Sequence, residues 1–214
     1  MYHPERFNET LGEIGRGFYK FTDKIYPYFL PHALHEISHD PPRVYRPKTF
    51  EGIYRHRHQL RKGKVIMPRD ERLQQRYRKV LADLKQEEDT APDGMNSFTR
   101  RMTKTLEKEG VLIERNWYPY KIPDQTCMQF SVWYRADTTI YDRAWKVATT
   151  AYEEGLDPED LAIWINVPRD RSIPEIGHAQ LIVKRYPEVF WPLFQHLSVR
   201  IMHGDIFGYP DPIG

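Results

Sequence analysis

Residues 128–134 read Met-Gln-Phe-Ser-Val-Trp-Tyr, and the fold class can be worked out from this stretch. Every second residue is apolar, while the residues between them are polar or aromatic. The first set is Met128, Phe130, Val132 and Tyr134, and the second is Gln129, Ser131 and Trp133. A period of two is typical of a β-strand with one face in a core. The sequence therefore predicts a half-buried strand here.

Other predicted elements surround this strand and give the order α-β-β-α-β-β-α. They are a helix over 97–108, strands over 111–117, 128–135, 161–167 and 179–183, a helix over 138–154, and a last helix that begins at Pro187. Gly110 and Gly155 follow two of the helices, where a glycine commonly ends a helix. Short connections between paired strands favour an antiparallel sheet. We therefore predict an α+β fold, with a small, mostly antiparallel sheet covered by helices in a compact domain over residues 96–214.

Residues 1–95 have a different pattern. Apolar residues at spacings of three and four predict a helix over residues 5–26. Five prolines between residues 27 and 47 then exclude long helices and central strands. We expect residues 40–69 to be extended and a polar helix to follow over residues 70–88. The sequence thus predicts a long, basic, proline-rich N-terminal arm with helical pieces, ending near residue 95.

The charge distribution supports this division. The chain of 214 residues has a net charge of +2, but residues 1–80 carry +8 and residues 81–214 carry −6. Between Arg43 and Lys79 there are 13 basic and 3 acidic residues. We predict that the basic residues of the arm contact a partner. The set is Arg43, Arg46, Lys48, Arg55, Arg57, Arg61, Lys62 and Lys64.

Three partner classes fit such a basic arm. An acidic protein surface is one, and the others are RNA and anionic lipid headgroups, because Lys and Arg bind phosphates. The near-zero net charge of the whole chain favours a protein partner, since many nucleic-acid binders are basic throughout.

Residues 35–39 read His-Glu-Ile-Ser-His and resemble the HExxH motif of zinc peptidases. The resemblance implies His35 and His39 as zinc ligands and Glu36 as the base, with both histidines on one helix face. Pro31 precedes the segment and Pro41 follows it, which leaves barely two helical turns. A zinc-dependent hydrolase and ordinary histidines at a helix end are the two interpretations.

The rest of the sequence contains no pattern that indicates a cofactor. Cys127 is the only cysteine, which excludes a disulfide framework and predicts a structural thiol. There is no phosphate-binding loop and no nucleophile elbow. No apolar run reaches 18 residues and the start lacks an apolar core, so we expect a soluble intracellular protein without a transmembrane segment or signal peptide.

Two segments of the C-terminal part resemble a known family. They are Arg115-Asn116-Trp117-Tyr118-Pro119-Tyr120 and Ala162-Ile163-Trp164-Ile165-Asn166, the second followed by Ser172-Ile173-Pro174-Glu175-Ile176-Gly177-His178. Over residues 110–186 they are similar to an uncharacterised domain family that includes fungal N-acetylglucosamine-induced proteins. The family pattern has two histidines, HxH, before its last strand, whereas this chain has His178 and Gln180. The resemblance implies a fold and no established reaction. His178 is a candidate pocket residue, with a structural histidine as the alternative.

Together these features predict a non-catalytic accessory subunit of a large assembly. Its partners would be other protein subunits, bound through the basic arm. Extended, proline-rich, basic arms suggest a mitochondrial complex, with an oxidative phosphorylation complex (a respiratory complex or ATP synthase) favoured over the mitochondrial ribosome. The alternative location is the cytoplasm. A zinc-dependent hydrolase and a small-molecule-binding domain are the competing hypotheses.

Overall fold

A four-stranded antiparallel sheet organises the computed structural model, which describes residues 21–30, 37–168, 171, 173 and 176–184. Its strands are β3 (Val111–Arg115), β4 (Cys127–Tyr134), β5 (Leu161–Trp164) and β6 (Gly177–Lys184). Their spatial order is β3-β4-β6-β5. The two long strands β4 and β6 pair along their whole length, from Cys127 opposite Lys184 to Tyr134 opposite Gly177. The strand predicted at residues 128–134 is therefore confirmed, and it is a central one.

The helices belong to an α+β fold, as predicted. They are α1 (residues 21–25 in the described part), α2 (Phe50–Arg61), α3 (Glu71–Thr90), α4 (Ser97–Glu109) and α5 (Ile140–Glu153). Short 3-10 turns lie at Tyr26–Phe29 and Pro158–Asp160, and a small parallel pair joins β1 (Arg43–Val44) to β2 (Val65–Ile66). None of the helices in the described part of the chain is long and apolar enough to cross a bilayer.

Local sequence explains where α4 begins and ends. The Asn96 side chain accepts a hydrogen bond from the Thr99 backbone N–H (2.8 Å), which caps the first turn. At the other end Gly110 has φ of +70°, a conformation that is strained for residues with a Cβ. The chain then turns directly into β3, as the sequence predicts.

One face of the sheet carries the main core. Alternate residues such as Ile113, Val132 and Leu181 point to this face and are buried under α5 and the turn Tyr26–Phe29. The inner side of α5 consists mainly of small residues, namely Ala144, Val147, Ala148 and Ala151. Small side chains allow the helix to approach the strands closely, so the apolar surface of both is removed from water.

The opposite face is covered by two separate groups of helices. At the β5 side, Phe50 and Ile53 of α2 pack against Ala162, Trp164 and Ile182. At the β3 side, α3 and α4 bury Leu84, Phe98 and Met102 against Trp133. A row of polar side chains lies on the sheet between these two apolar groups.

The extended conformation expected for residues 40–69 is wrong over α2. Thr49 caps this helix by accepting a hydrogen bond from the Gly52 N–H (3.3 Å), and the nearest prolines, Pro47 and Pro68, lie outside it. Phe50, Ile53 and Leu60 share one helix face, so the helix gains its stability by packing on the sheet. The N-terminal segment therefore contributes to the core of the sheet. The boundary predicted near residue 95 stays a prediction.

The remaining predicted elements agree with the structure where it describes them. The polar helix expected over residues 70–88 is α3, and the helix expected over 138–154 is α5. The predicted helix over residues 5–26 is present over 21–25, while its earlier part lies outside the described residues. The last helix, predicted from Pro187, also lies outside them.

Candidate functional site

The eight basic residues predicted to bind a partner lie on and around α2; we call them the cationic cluster. Arg43 belongs to β1, and Arg46 and Lys48 follow it. Arg55, Arg57 and Arg61 are on α2, while Lys62 and Lys64 lie between α2 and β2. Arg43, Arg46, Lys48, Arg55 and Lys64 are exposed, and the other three are half-buried.

Two members of the cationic cluster are held in place by neighbouring groups. The Arg57 guanidinium lies over the Tyr54 ring, 3.8 Å from its centroid, and donates a hydrogen bond to the Tyr54 carbonyl. Arg61 donates to the Leu30 carbonyl (2.9 Å). Both contacts orient the cation without neutralising its charge.

No member of the cationic cluster forms a salt bridge with any residue that the structure describes. The single acid of α2, Glu51, is paired with Lys184 instead (2.9 Å). Elsewhere in the described structure basic side chains do form salt bridges, for example Arg100 with Asp93 (2.7 Å). The cluster is therefore a concentration of positive charge that this part of the chain leaves uncompensated.

The pKa of His58 is affected by the positive charge of the cationic cluster. Its pKa is lowered from the ordinary value, first by partial burial and then by the charges of Arg57, Arg61 and Lys62. A cationic imidazolium is disfavoured among like charges, which is the expected effect of an uncompensated cluster.

The HExxH segment is only partly described. His35 and Glu36 lie outside the described residues, and His39 is exposed in the irregular segment 37–40. The zinc-peptidase arrangement places both histidines on one helix, and His39 is not on a helix. Across the described ranges, no group of three or more His, Cys, Asp or Glu side chains could hold a metal ion.

His178, the candidate pocket residue, is buried on the second face of the sheet. It lies opposite Trp133 on the neighbouring strand, with 4.9 Å between the ring centroids. Burial lowers the pKa of His178 to about 4, and the charge of Arg171 adds to this effect. The imidazole is therefore neutral at physiological pH.

Glu114 lies on the other side of Trp133 and was not singled out from the sequence. The strand register places Glu114 opposite Ser131, and Ser131 opposite Gln180, so a row of buried polar residues crosses three strands. Burial raises the pKa of Glu114 to about 7, while the Trp133 indole N–H and the charge of Arg101 act in the opposite direction. A lone acid inside the apolar strand Val-Leu-Ile-Glu-Arg was the available sequence signal.

The outer part of this row holds the loop that joins β3 to β4. Asn116 donates to Gln180 (3.3 Å). The Gln129 side chain accepts a hydrogen bond from the Tyr120 N–H and donates one to its carbonyl, both at 2.8 Å. Gln180 therefore serves as a structural hydrogen-bond partner that helps to hold this loop. Chemically, the row offers one acid that can exchange a proton near neutral pH.

Cys127 has the properties of a structural thiol. It is half-buried at the start of β4, and burial together with the charge of Asp124 raises its pKa to about 12. The reactive thiolate form is thus suppressed at physiological pH.

A solved structure described as "Crystal Structure of HTC1" is similar to this chain, with a TM-score of 0.41 and 12% sequence identity over 78% of this chain and 100% of that chain. A similarity of this size carries no argument about function. No protein-family model matches the chain, and no curated protein matches its sequence. The resemblance of residues 110–186 to the family with fungal N-acetylglucosamine-induced proteins stays a prediction.

Proposed function

We propose that this protein is a non-catalytic interaction protein that docks onto an acidic surface of a partner protein through the cationic cluster. The supporting observation is that the eight cations have no acidic partner among the described residues, although they are concentrated around one helix. Clustered like charges repel one another, and an acidic surface relieves that repulsion on binding.

The helix α2, which carries three of the eight cations, is packed on the sheet, and this suits a docking role. Phe50, Ile53 and Leu60 fix α2 on the sheet, and Arg57 and Arg61 are oriented by Tyr54 and the Leu30 carbonyl. Because these cations are already positioned, less side-chain entropy is lost when a partner binds.

We further propose that the partner belongs to a large mitochondrial assembly. An oxidative phosphorylation complex is favoured over the mitochondrial ribosome because a net charge of +2 suits a protein partner better than RNA. The support for this location is the basic, proline-rich character of the N-terminal sequence.

Charge reversal tests the docking proposal. The variant Arg43→Glu/Arg46→Glu/Lys48→Glu changes three exposed members of the cationic cluster. Its matched control is Lys79→Glu/Lys104→Glu/Lys146→Glu, which makes the same charge change at three exposed positions elsewhere. Both are expressed as tagged full-length chains in cells, and the native mass of the complex containing each chain is measured.

We expect the cluster variant to migrate as a free chain, whereas the wild type and the control migrate in a large complex. Equal assembly of both variants would overturn the docking proposal. A wild-type complex that dissociates on nuclease treatment would assign the cluster to RNA instead, and flotation with anionic vesicles would assign it to lipid.

A further inference from the structure

A groove lies beside β2 at the β5 end of the sheet, next to Trp164, and His178 is not among the residues that line it. Its volume is about 570 Å³, within the range of small-molecule sites. One wall is apolar and includes Val65, Met67 and Trp164. The other wall is the polar face of α3, to which Gln74, Gln75 and Arg78 contribute.

Arg69 is fixed at this groove in a way that leaves part of its guanidinium available. Its Nε–H donates to the Tyr118 carbonyl (2.7 Å), and the guanidinium lies between two rings, 4.2 Å from the Tyr77 centroid and 4.8 Å from the Tyr120 centroid. Neither Nη atom has an acceptor among the residues that the structure describes. A pre-oriented guanidinium with free N–H groups is suited to bind a carboxylate or phosphate.

Further donors face the same space. The Oδ1 atom of Asn166 accepts from the Trp164 indole N–H (3.0 Å), which fixes the amide and leaves its N–H₂ group without a protein acceptor in the described part of the chain. Arg78 also lines the groove and forms no ion pair with any residue that the structure describes. The groove holds one acid, Glu71, against the two arginines.

We propose that this groove binds a small organic anion, in which an oxyanion headgroup contacts Arg69, Arg78 and Asn166 and an apolar body lies along Met67 and Trp164. Because the groove presents more hydrogen-bond donors than acceptors, it favours a negatively charged headgroup. Its apolar wall favours a ligand with an apolar body over an inorganic ion. The site goes beyond the docking role, since none of these residues belongs to the cationic cluster.

The binding experiment uses the full chain and phenyl phosphate, followed by NMR through the Trp164 indole N–H and the Met67 methyl group. Benzoate tests a carboxylate headgroup on a similar body. Phenol lacks the anion, and inorganic phosphate lacks the body. We expect phenyl phosphate or benzoate to bind about tenfold more tightly than phenol and inorganic phosphate. The tighter of the two identifies the headgroup.

Two variants test the donors without removing the fixed Arg69. Asn166→Asp keeps an oxygen acceptor for the Trp164 indole but replaces the amide donor by a negative charge. Arg78→Gln removes one cation from the groove wall. Each should weaken phenyl phosphate binding about tenfold. The control Arg72→Gln removes an exposed cation of α3 that does not line the groove, so affinity should be unchanged.

The proposal is overturned if phenyl phosphate and benzoate leave both reporter signals unmoved, or if Arg72→Gln weakens binding as much as Arg78→Gln does. Equal binding of phenyl phosphate and inorganic phosphate would also overturn it, because the apolar wall would then have no role.

Discussion

Glu114 and His178 give opposite and nearly cancelling contributions to the pH dependence of stability. Glu114 has a pKa of about 7 in the native state against an ordinary 4.5, so the native state keeps a proton that the unfolded chain loses. Stability from this group is fully present below pH 4.5 and is lost as pH rises through 7. His178 has a native pKa of about 4 against 6.5, so its contribution is present above pH 6.5 and is lost as pH falls through 4.

The size of each contribution follows from the shift. Both pKa values move by roughly 2.5 units, and each unit corresponds to about 1.4 kcal/mol, so each group contributes about 3 kcal/mol. Neither figure needs a large reduction for solvent screening, because Glu114 is 4% and His178 is 6% exposed. Between pH 4.5 and 6.5 the free energy of unfolding falls with pH through Glu114 and rises with pH through His178. The contributions of these two groups to the pH dependence of the wild type therefore nearly cancel.

Single substitutions should reveal the pH dependence that each group contributes to the free energy of unfolding. The variant Glu114→Gln keeps the contribution of His178 and loses that of Glu114. Its free energy of unfolding, measured relative to the wild type, should therefore rise by about 3 kcal/mol from pH 4.5 to 7. The variant His178→Gln keeps the contribution of Glu114 and loses that of His178. Its free energy of unfolding relative to the wild type should therefore fall as pH rises. Urea unfolding followed by tryptophan fluorescence at five pH values from 4 to 8 measures both.

The test compares how the free energy of unfolding changes with pH, so it stays valid where a variant is less stable than the wild type at every pH. The control Glu107→Gln changes an exposed acid of α4 and should parallel the wild type. If the difference between Glu114→Gln and wild type is constant from pH 4 to 8, Glu114 does not titrate near 7 and the reasoning from its burial fails.

Three further outcomes are expected. Ile53→Ala should cost about 2–5 kcal/mol in urea unfolding, because the buried side chain joins α2 to the sheet; a cost below about 1 kcal/mol would show that α2 is not part of the core. Gly177→Ala should lower the midpoint of thermal unfolding, since its Cβ would lie 2.2 Å from the Tyr134 ring, and an unchanged midpoint would contradict this contact. Lys62→Gln should raise the pKa of His58 in an NMR titration because it removes one neighbouring positive charge, and no rise would mean that the Lys62 charge does not act on His58.

Short-range patterns were sufficient to predict most elements of the sheet domain. The alternation in residues 128–134 predicts β4, and glycines 110 and 155 mark the ends of α4 and α5, because period and backbone conformation are local properties. The cationic cluster could also be collected from the sequence, since charge density along the chain is visible there. The same local reasoning mistook α2 for extended chain, because five nearby prolines outweighed its apolar spacing.

Long-range packing settled the properties that matter for the candidate sites. Strand register places Glu114 and His178 on either side of Trp133, and helices over that face exclude water from both, which is what shifts their pKa values. Likewise, the absence of salt bridges to the cationic cluster in the described structure depends on which acids the fold brings near. Burial and charge compensation are sums over neighbours distant in sequence, so no local pattern contains them.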